Sequence, residues 1–278
     1  MVNSCRLRGG SARRNERSAA LGEVMTQELE QARREIAQLQ RQLAQNRLAL
    51  EDFTYSVSHD LRASLRHVTS YLKIVREDLG AAVDANILAH LDTAGGAAAH
   101  MVQLMDGLLE LSRVGRAEMQ LSDVDLGRLI ADVRHQLENG MRQREVQWKI
   151  AADLPLVHGD IALLAQMLAQ LLGNAIKFTR DCPVASIDIS WTARGDGFCE
   201  LHISDNGVGF DARFRDRLFR VFQRLHSPKQ FEGIGIGLAL ARAVVERHGG
   251  GIRAEGGADA GCRISLTLPV AGADAGVP

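Results

Sequence analysis

Apolar residues recur every seven positions from Leu29, at Leu29, Ile36, Leu43, Leu50 and Val57, with Ala32, Leu39, Asn46 and Phe53 in the companion positions. With Arg, Gln and Glu filling the other positions, this spacing predicts a parallel coiled coil, in which the polar Asn46 fixes register at some cost in stability. A lone amphipathic surface helix is the alternative; five repeats without Gly or Pro argue against it. The helical pattern continues to Leu79, where Gly80 and the 81–86 stretch predict a turn. A second helix follows from about Ile87 to Arg113, weakened locally by Gly95 and Gly96. The pair reads as an αα-hairpin, and two copies would close a four-helix bundle.

After Arg116 the pattern changes to helices mixed with short alternating strands. Strands are expected at Val146–Ile150, Ser186–Thr192, Cys199–Ser204, Gly251–Glu255 and Cys262–Leu268. Helices are expected at Asp125–Glu138, Ile161–Phe178, a short one at Asp216–Phe222, and Gly237–His248. The fold class is therefore α followed by α/β: a helical hairpin, then one sheet covered by helices.

Composition narrows the function classes. The chain has 278 residues, a 46% apolar fraction and a formal net charge of −1. That balance gives no general attraction to nucleic acid or anionic membrane. Arg6, Arg8, Arg13, Arg14 and Arg17 make the start of the chain a basic tail without the apolar run of a secretory signal. No window of about 18 consecutive apolar residues predicts a membrane span. Cys5, Cys182, Cys199 and Cys262 form neither a disulfide framework nor a zinc pattern, which fits a reducing cytoplasm.

His59 stands in Ser58-His59-Asp60-Leu61-Arg62 on the first hairpin helix. Phe53, Val57, Leu61, Leu65, Val68, Leu72, Val75 and Leu79 share one sector of that helix, and His59 falls opposite it, facing solvent. A lone helical histidine is usually structural. Here Asp60 can accept one ring N–H, fix the tautomer and stabilise charge developing on an attacking imidazole.

Three separated segments suit a nucleotide. Gln170, Asn174 and Lys177 share one face of the Gln166–Thr179 helix, joining an amide that can ligate Mg²⁺ to an ammonium that can neutralise phosphate. Asp205-Asn206-Gly207-Val208-Gly209-Phe210-Asp211 follows an apolar strand, so the Asp205 carboxylate can accept from an adenine amino group while Gly207 and Gly209 let backbone approach the ring. Gly233-Ile234-Gly235-Ile236-Gly237-Leu238 leads into a helix, an arrangement that cradles phosphate. It is neither a dinucleotide fingerprint nor a P-loop. The Arg-rich stretch between Phe210 and Gly233, with Phe219, Phe222, Arg220, Arg224 and Lys229, is expected to form a lid.

In this order the segments resemble the boxes of sensor histidine kinases, most closely the phytochrome-like branch: FTYSVSHDLRASL (53–65), QMLAQLLGNAIKF (166–178), DNGVGFD (205–211), LFRVFQRLHSP (218–228) and GIGIGL (233–238). The resemblance implies a disordered basic tail over 1–22, a coiled-coil signalling helix over 23–52, a dimerisation and phosphoacceptor domain over 53–117, a Bergerat-type ATP-binding domain over 121–270 and a disordered tail over 271–278. It implies a cytoplasmic homodimer that autophosphorylates from ATP and Mg²⁺ and passes the phosphoryl group to an aspartate of a response regulator. His59 would be the phosphoacceptor, Asp60 its base or orienting partner, Asn174 the Mg²⁺ ligand and Lys177 a phosphate contact. Asp205 would read adenine, Gly207 and Gly209 would shape its pocket, and Gly233, Gly235 and Gly237 would hold the phosphates and the lid end.

Four positions depart from the family pattern. Ser64 replaces a proline that kinks the helix, Ala63 a Thr or Asn used in dephosphorylation, Gln170 an Asn, and Ile234 a small or hydroxylated residue. Two other readings follow from them and from the shared nucleotide fold: a relay or scaffold that no longer transfers from ATP, and an ATPase of the gyrase, mismatch-repair or chaperone kind.

Overall fold

A computed structural model describes residues 9–79, 84–116, 118–140, 144–227, 230–258 and 260–272. The chain divides into two units, residues 1–53 and 54–278. In the first, the helix α1 (Gly9–Leu79) is already formed at Gly9. The tail expected to be disordered over 1–22 is therefore helical from residue 9; nothing between there and Leu79 breaks a helix, since no proline occurs in that span. Residues 1–8 lie outside the described residues. Leu29, Ile36, Leu39 and Leu43 are exposed, Leu43 by 74%, so the heptad seam is uncovered in the single chain.

In the second unit, α1 continues and α2 (Ala85–Arg116) forms the other arm of the hairpin, capped by Asp84, whose carboxylate accepts from the Asn86 N–H at 2.8 Å. The expected turn at 80–83 lies outside the described residues. α2 runs through Gly95 and Gly96 without a break. Arg62 pairs with Asp106 and Arg76 with Asp92 across the arms. The apolar sector read from the sequence divides in two: Leu65 and Leu72 are half-buried, whereas Val57, Leu61, Val68 and Val75 stay exposed.

The rest of this unit is an α/β sandwich. β1 (Leu121–Asp125) pairs antiparallel with β3 (Leu156–Asp160) in a two-stranded sheet. The main sheet has the order β2-β4-β5-β7-β6, from β2 (Val146–Ile150), β4 (Ala185–Ala193), β5 (Phe198–Asp205), β6 (Ile252–Gly256) and β7 (Cys262–Pro269). Only the β2–β4 pair is parallel. Period-two alternation sends Ile187, Ile189, Leu201, Ile203, Leu266 and Leu268 into the core, where the helices α3 (Leu126–Gly140), α4 (Ile161–Phe178) and α5 (Gly237–Arg247) cover them.

Helix α4 positions the site. Asp160 caps its start, accepting from Ala162 and Leu163 N–H groups. At its other end the Arg144 guanidinium donates to the Ile176 carbonyl at 3.1 Å and to that of Thr179, satisfying carbonyls a helix end leaves free. By length and composition α4 could cross a membrane, although Gln166, Gln170, Asn174 and Lys177 interrupt its apolar run. In this fold Leu164, Met167, Leu168 and Leu172 are fully buried in the sandwich core, which accounts for its composition.

The candidate nucleotide site and the His59 helix face

The three segments singled out in the sequence line one cavity of about 260 Å³. α4 supplies Gln170, Asn174 and Lys177, the end of β5 supplies Asp205, and the loop before α5 supplies Gly233, Gly235 and Gly237. The cavity wall is otherwise largely apolar, with Leu171, Phe178, Phe210 and Ile264 among its residues. Such a lining suits a flat heterocycle, and the few polar groups fix its orientation.

Asp205 is the one carboxylate at the sheet end of this cavity. Burial pushes its carboxyl up to about 6, against the opposing pull of the Gly207 and Cys262 N–H groups. Its oxygen accepts from the Gly207 N–H at 2.8 Å. Next to it, Asn206 is structural: its amide accepts from the Ser186 N–H and donates to the Val184 carbonyl, both at 2.8 Å. Burial also lowers the Lys177 ammonium below its ordinary value, helped by the Arg224 charge and opposed by Glu232. Its Nζ lies 4.5 Å from the Phe178 ring centre.

Two glycines are required by geometry. Gly209 has φ +61°, and a side chain there would strike the Gly257 carbonyl; Gly235 has φ +76°, and a Cβ would come within 2.6 Å of the Gln223 carbonyl oxygen. Gly207 is a close approach of a different kind, since a Cβ would meet the Phe178 carbonyl at 2.5 Å. Gly237 explains why Gln170 fits: a Cβ at 237 would lie 2.5 Å from the Gln170 Oε1, so glycine makes room for the longer amide.

The stretch expected to form a lid borders the cavity, and its local structure differs from the expectation. A 3-10 turn at Ala212–Arg217 replaces the helix expected at Asp216–Phe222, and Phe222 itself has φ +62°. An exposed six-residue turn with alternating arginines cannot bury an apolar stripe, so it does not extend into an α-helix. Phe219 packs against the core and Phe222 is exposed; the ring contacts over the cavity come from His226 and Phe231. His226, Phe231 and Phe178 form a cluster with ring centres 5.0 to 5.4 Å apart. Arg224 donates to the Phe231 carbonyl at 2.5 Å, and Lys229 lies outside the described residues. His226 and Phe231 were missed from sequence because an isolated ring has no spacing to announce it, although His226 lies within the quoted 218–228 segment.

His59 and Asp60 do not line this cavity. They sit on α1, with side chains 60% and 79% exposed and Nδ1 3.2 Å from the Asp60 Oδ1. The neighbouring Ser58 is buried. At Ser64 the hydroxyl donates to the Asp60 carbonyl at 3.3 Å, and α1 runs on through this position as one helix. No group of three or more His, Cys, Asp or Glu side chains suited to a metal occurs among the described residues. A cation here would be shared with a phosphate ligand, through the Asn174 and Gln170 amides.

Residues 159–272 match the family model described as histidine kinase-, DNA gyrase B-, and HSP90-like ATPase. Cyanobacterial phytochrome B of Nostoc sp. (strain PCC 7120) is 32% identical over 253 residues, which make up 91% of this chain and 33% of that protein. The methanogenesis regulatory histidine kinase FilI of Methanothrix harundinacea is 32% identical over 220 residues, 79% of this chain and 24% of that protein. Among solved structures, full-length ShkA in complex with AMPPNP shares the fold with a TM-score of 0.55 at 23% identity, covering 79% of this chain and 46% of that one. The chain thus spans a third or less of the length of these two curated relatives. The residues of the family match include α4, β4 to β7 and α5 of the sandwich. Beyond the residues of the family match, the similarity to that phytochrome and to that histidine kinase extends over 91% and 79% of this chain.

Proposed function

We propose that this chain is a histidine autokinase that binds ATP in the α4–β5–glycine-loop cavity, phosphorylates His59 and passes the phosphoryl group to an aspartate of a receiver domain. The observation that carries this reading is the convergence of Asp205, Asn174, Lys177 and the 233–237 glycine run on one cavity, in a chain that also presents an exposed His–Asp pair on a hairpin helix. Asp205 accepts from the adenine amino group, and Gly207 and Gly209 admit the ring. Lys177 faces the phosphates, and Gly233, Gly235 and Gly237 offer them backbone N–H groups at the α5 start. The donor set fits Mg²⁺, which keeps few protein ligands and is held largely by substrate phosphates. When bound, it would neutralise phosphate charge beside Asn174.

On α1, the geometry supports an Nδ1–H donated to Asp60, which leaves the Nε2 lone pair free. Nε2 forms a bond to the γ-phosphorus as the bond to the β–γ bridging oxygen breaks, and ADP leaves. Asp60 stabilises the positive charge on the ring. In the second step a receiver carboxylate oxygen bonds to phosphorus and the N–P bond breaks, which returns neutral His59. The uncovered heptad seam and the exposed Val57, Leu61, Val68 and Val75 support a homodimer, in which a second copy would cover them. We place the protein in the cytoplasm, as its phytochrome-like relatives and thiol usage favour.

Incubation with Mg²⁺ and γ-labelled ATP, followed by a chase with receiver domains, tests both steps. The reading predicts label that is lost in acid, and its movement to a receiver whose acceptor aspartate is intact. Steady ATP hydrolysis unaffected by loss of His59 would instead favour an ATPase of the gyrase or chaperone kind, and nucleotide binding without label would favour a scaffold.

A further inference from the structure

Among the described residues, Asp205 and Glu232 are the carboxylates that line the nucleotide cavity, and Glu232 stands immediately before the glycine run. Its neighbours pin the backbone on both sides. Phe231 is 4% exposed, its ring centre 5.0 Å from that of Phe178 and 5.3 Å from that of His226, with the Arg180 guanidinium 4.6 Å over it. Arg224 donates to the Phe231 carbonyl. On the other side Gly233 has φ +122°, and a Cβ there would meet the Lys177 Nζ at 3.5 Å. Glu232 is therefore held close to the Lys177 ammonium, and its charge acts on that group. Its own side chain is exposed, so the packing of Phe231 does not depend on it.

We propose that Glu232 is a specificity-determining residue whose carboxylate makes the cavity select metal-neutralised nucleotide over free nucleotide. The inference rests on the nucleotide-binding part of the reading above. A triphosphate laid along Lys177 and the 233–237 backbone brings anionic oxygens near Glu232, where like charges repel. Lys177 and Arg224 also line the cavity, and by themselves these cations would favour free nucleotide, which carries more negative charge than its metal complex. Glu232 opposes that preference. A divalent cation carried by the phosphates cuts the charge that the carboxylate meets and removes most of the repulsion. The Asn174 and Gln170 amides are neutral, so the electrostatic discrimination comes from Glu232. Its consequence is that free nucleotide, which brings no ion to neutralise the phosphates, does not occupy the cavity unproductively.

Calorimetric titration of the full chain with ATP, once with Mg²⁺ and once with excess EDTA, gives the two dissociation constants. Glu232→Gln keeps the shape of the side chain and removes its charge. Glu246→Gln, at an exposed position of α5 outside the cavity, controls for the change in net charge. The wild type and Glu246→Gln should bind ATP more tightly with Mg²⁺ than without. In Glu232→Gln this preference should fall about tenfold through tighter binding of free ATP, as one close like-charge contact at an exposed site implies. The difference between wild type and variant should also shrink at high salt, which a change in packing would not do. An unchanged preference, an equal fall in Glu246→Gln, or a fall that comes from weaker binding with Mg²⁺ would overturn the proposal. A wild type that binds ATP in neither condition would end the nucleotide reading and this inference together. A wild type that binds ATP but never labels His59 would end only the kinase reading, and the ratio of the two constants would still decide the role of Glu232.

Discussion

His226 donates from Nε2 to the Gly209 carbonyl oxygen at 2.9 Å, tying the lid to the glycine turn that follows Asp205. The ring also lies edge-on to Phe231 and tilted against Phe178. One side chain thus joins lid, α4 and the β5 turn around the cavity mouth, and losing it frees the lid without touching the polar floor. His226→Ala is expected to weaken nucleotide binding about tenfold, mainly through faster release, since a hydrogen bond and two ring contacts are together worth one to two kcal/mol, roughly. Stopped-flow displacement of a fluorescent ATP analogue measures this. An unaltered release rate would mean that the lid does not rely on this tie.

Asp205 makes nucleotide affinity and stability respond oppositely to pH. With its carboxyl raised to about 6, it is ionised at neutral pH and in the proposed role would accept from an adenine amino group; as pH falls through 6 it protonates, and affinity should drop. For stability, the folded state holds the proton more tightly than the unfolded chain, so the ionised group is a cost above pH 6 that disappears below about 4. Asp205→Asn should therefore abolish binding yet raise the melting temperature at pH 7.5, by a stability gain on the order of 2 kcal/mol that vanishes near pH 4. Calorimetric melts across that range check the sign. A variant less stable than wild type at pH 7.5 would contradict it.

His248 works the other way. The Asp160 backbone N–H donates to its Nε2 at 3.0 Å and its Nδ1 donates to the Val244 carbonyl at 2.8 Å, so the buried ring is held neutral. Burial, with Arg247 adding to it, keeps its pKa below the ordinary value, although Val244 and Asp160 pull upward. As pH falls below about 6.5 the unfolded chain takes up a proton that the folded ring refuses, and stability declines. His248→Phe should cost about 1–3 kcal/mol at pH 7.5, because the Asp160 N–H loses its acceptor, and should flatten the stability slope between pH 7 and 5.5. An identical slope in variant and wild type would exclude His248 as its source.

Much of this was legible in the sequence because periodicity and burial coincide. Val146–Ile150 and Ile161–Phe178 were read to the residue, since alternation or a continuous apolar face marks both. β1 and β3 were not read. Leu121–Asp125 and Leu156–Asp160 each bury few apolar side chains, Val124 and Val157, and form a short two-stranded sheet, so no alternation reveals them. The cavity residues of α4, β5 and the glycine run were legible because phosphate and adenine demand particular residue types at fixed spacing. The contact of Ile234 and Ile236 with Gly107 was not, because it joins positions more than a hundred residues apart through an absent side chain.

The proposed transfer from the cavity to α1 is tested most directly by locating the phosphate. After incubation with Mg²⁺ and ATP, alkaline digestion and tandem mass spectrometry should find phosphohistidine at His59, and none in His59→Gln or in Asn174→Ala. Phosphate on a different residue, or a His59→Gln chain that still gains acid-labile label, would contradict the account.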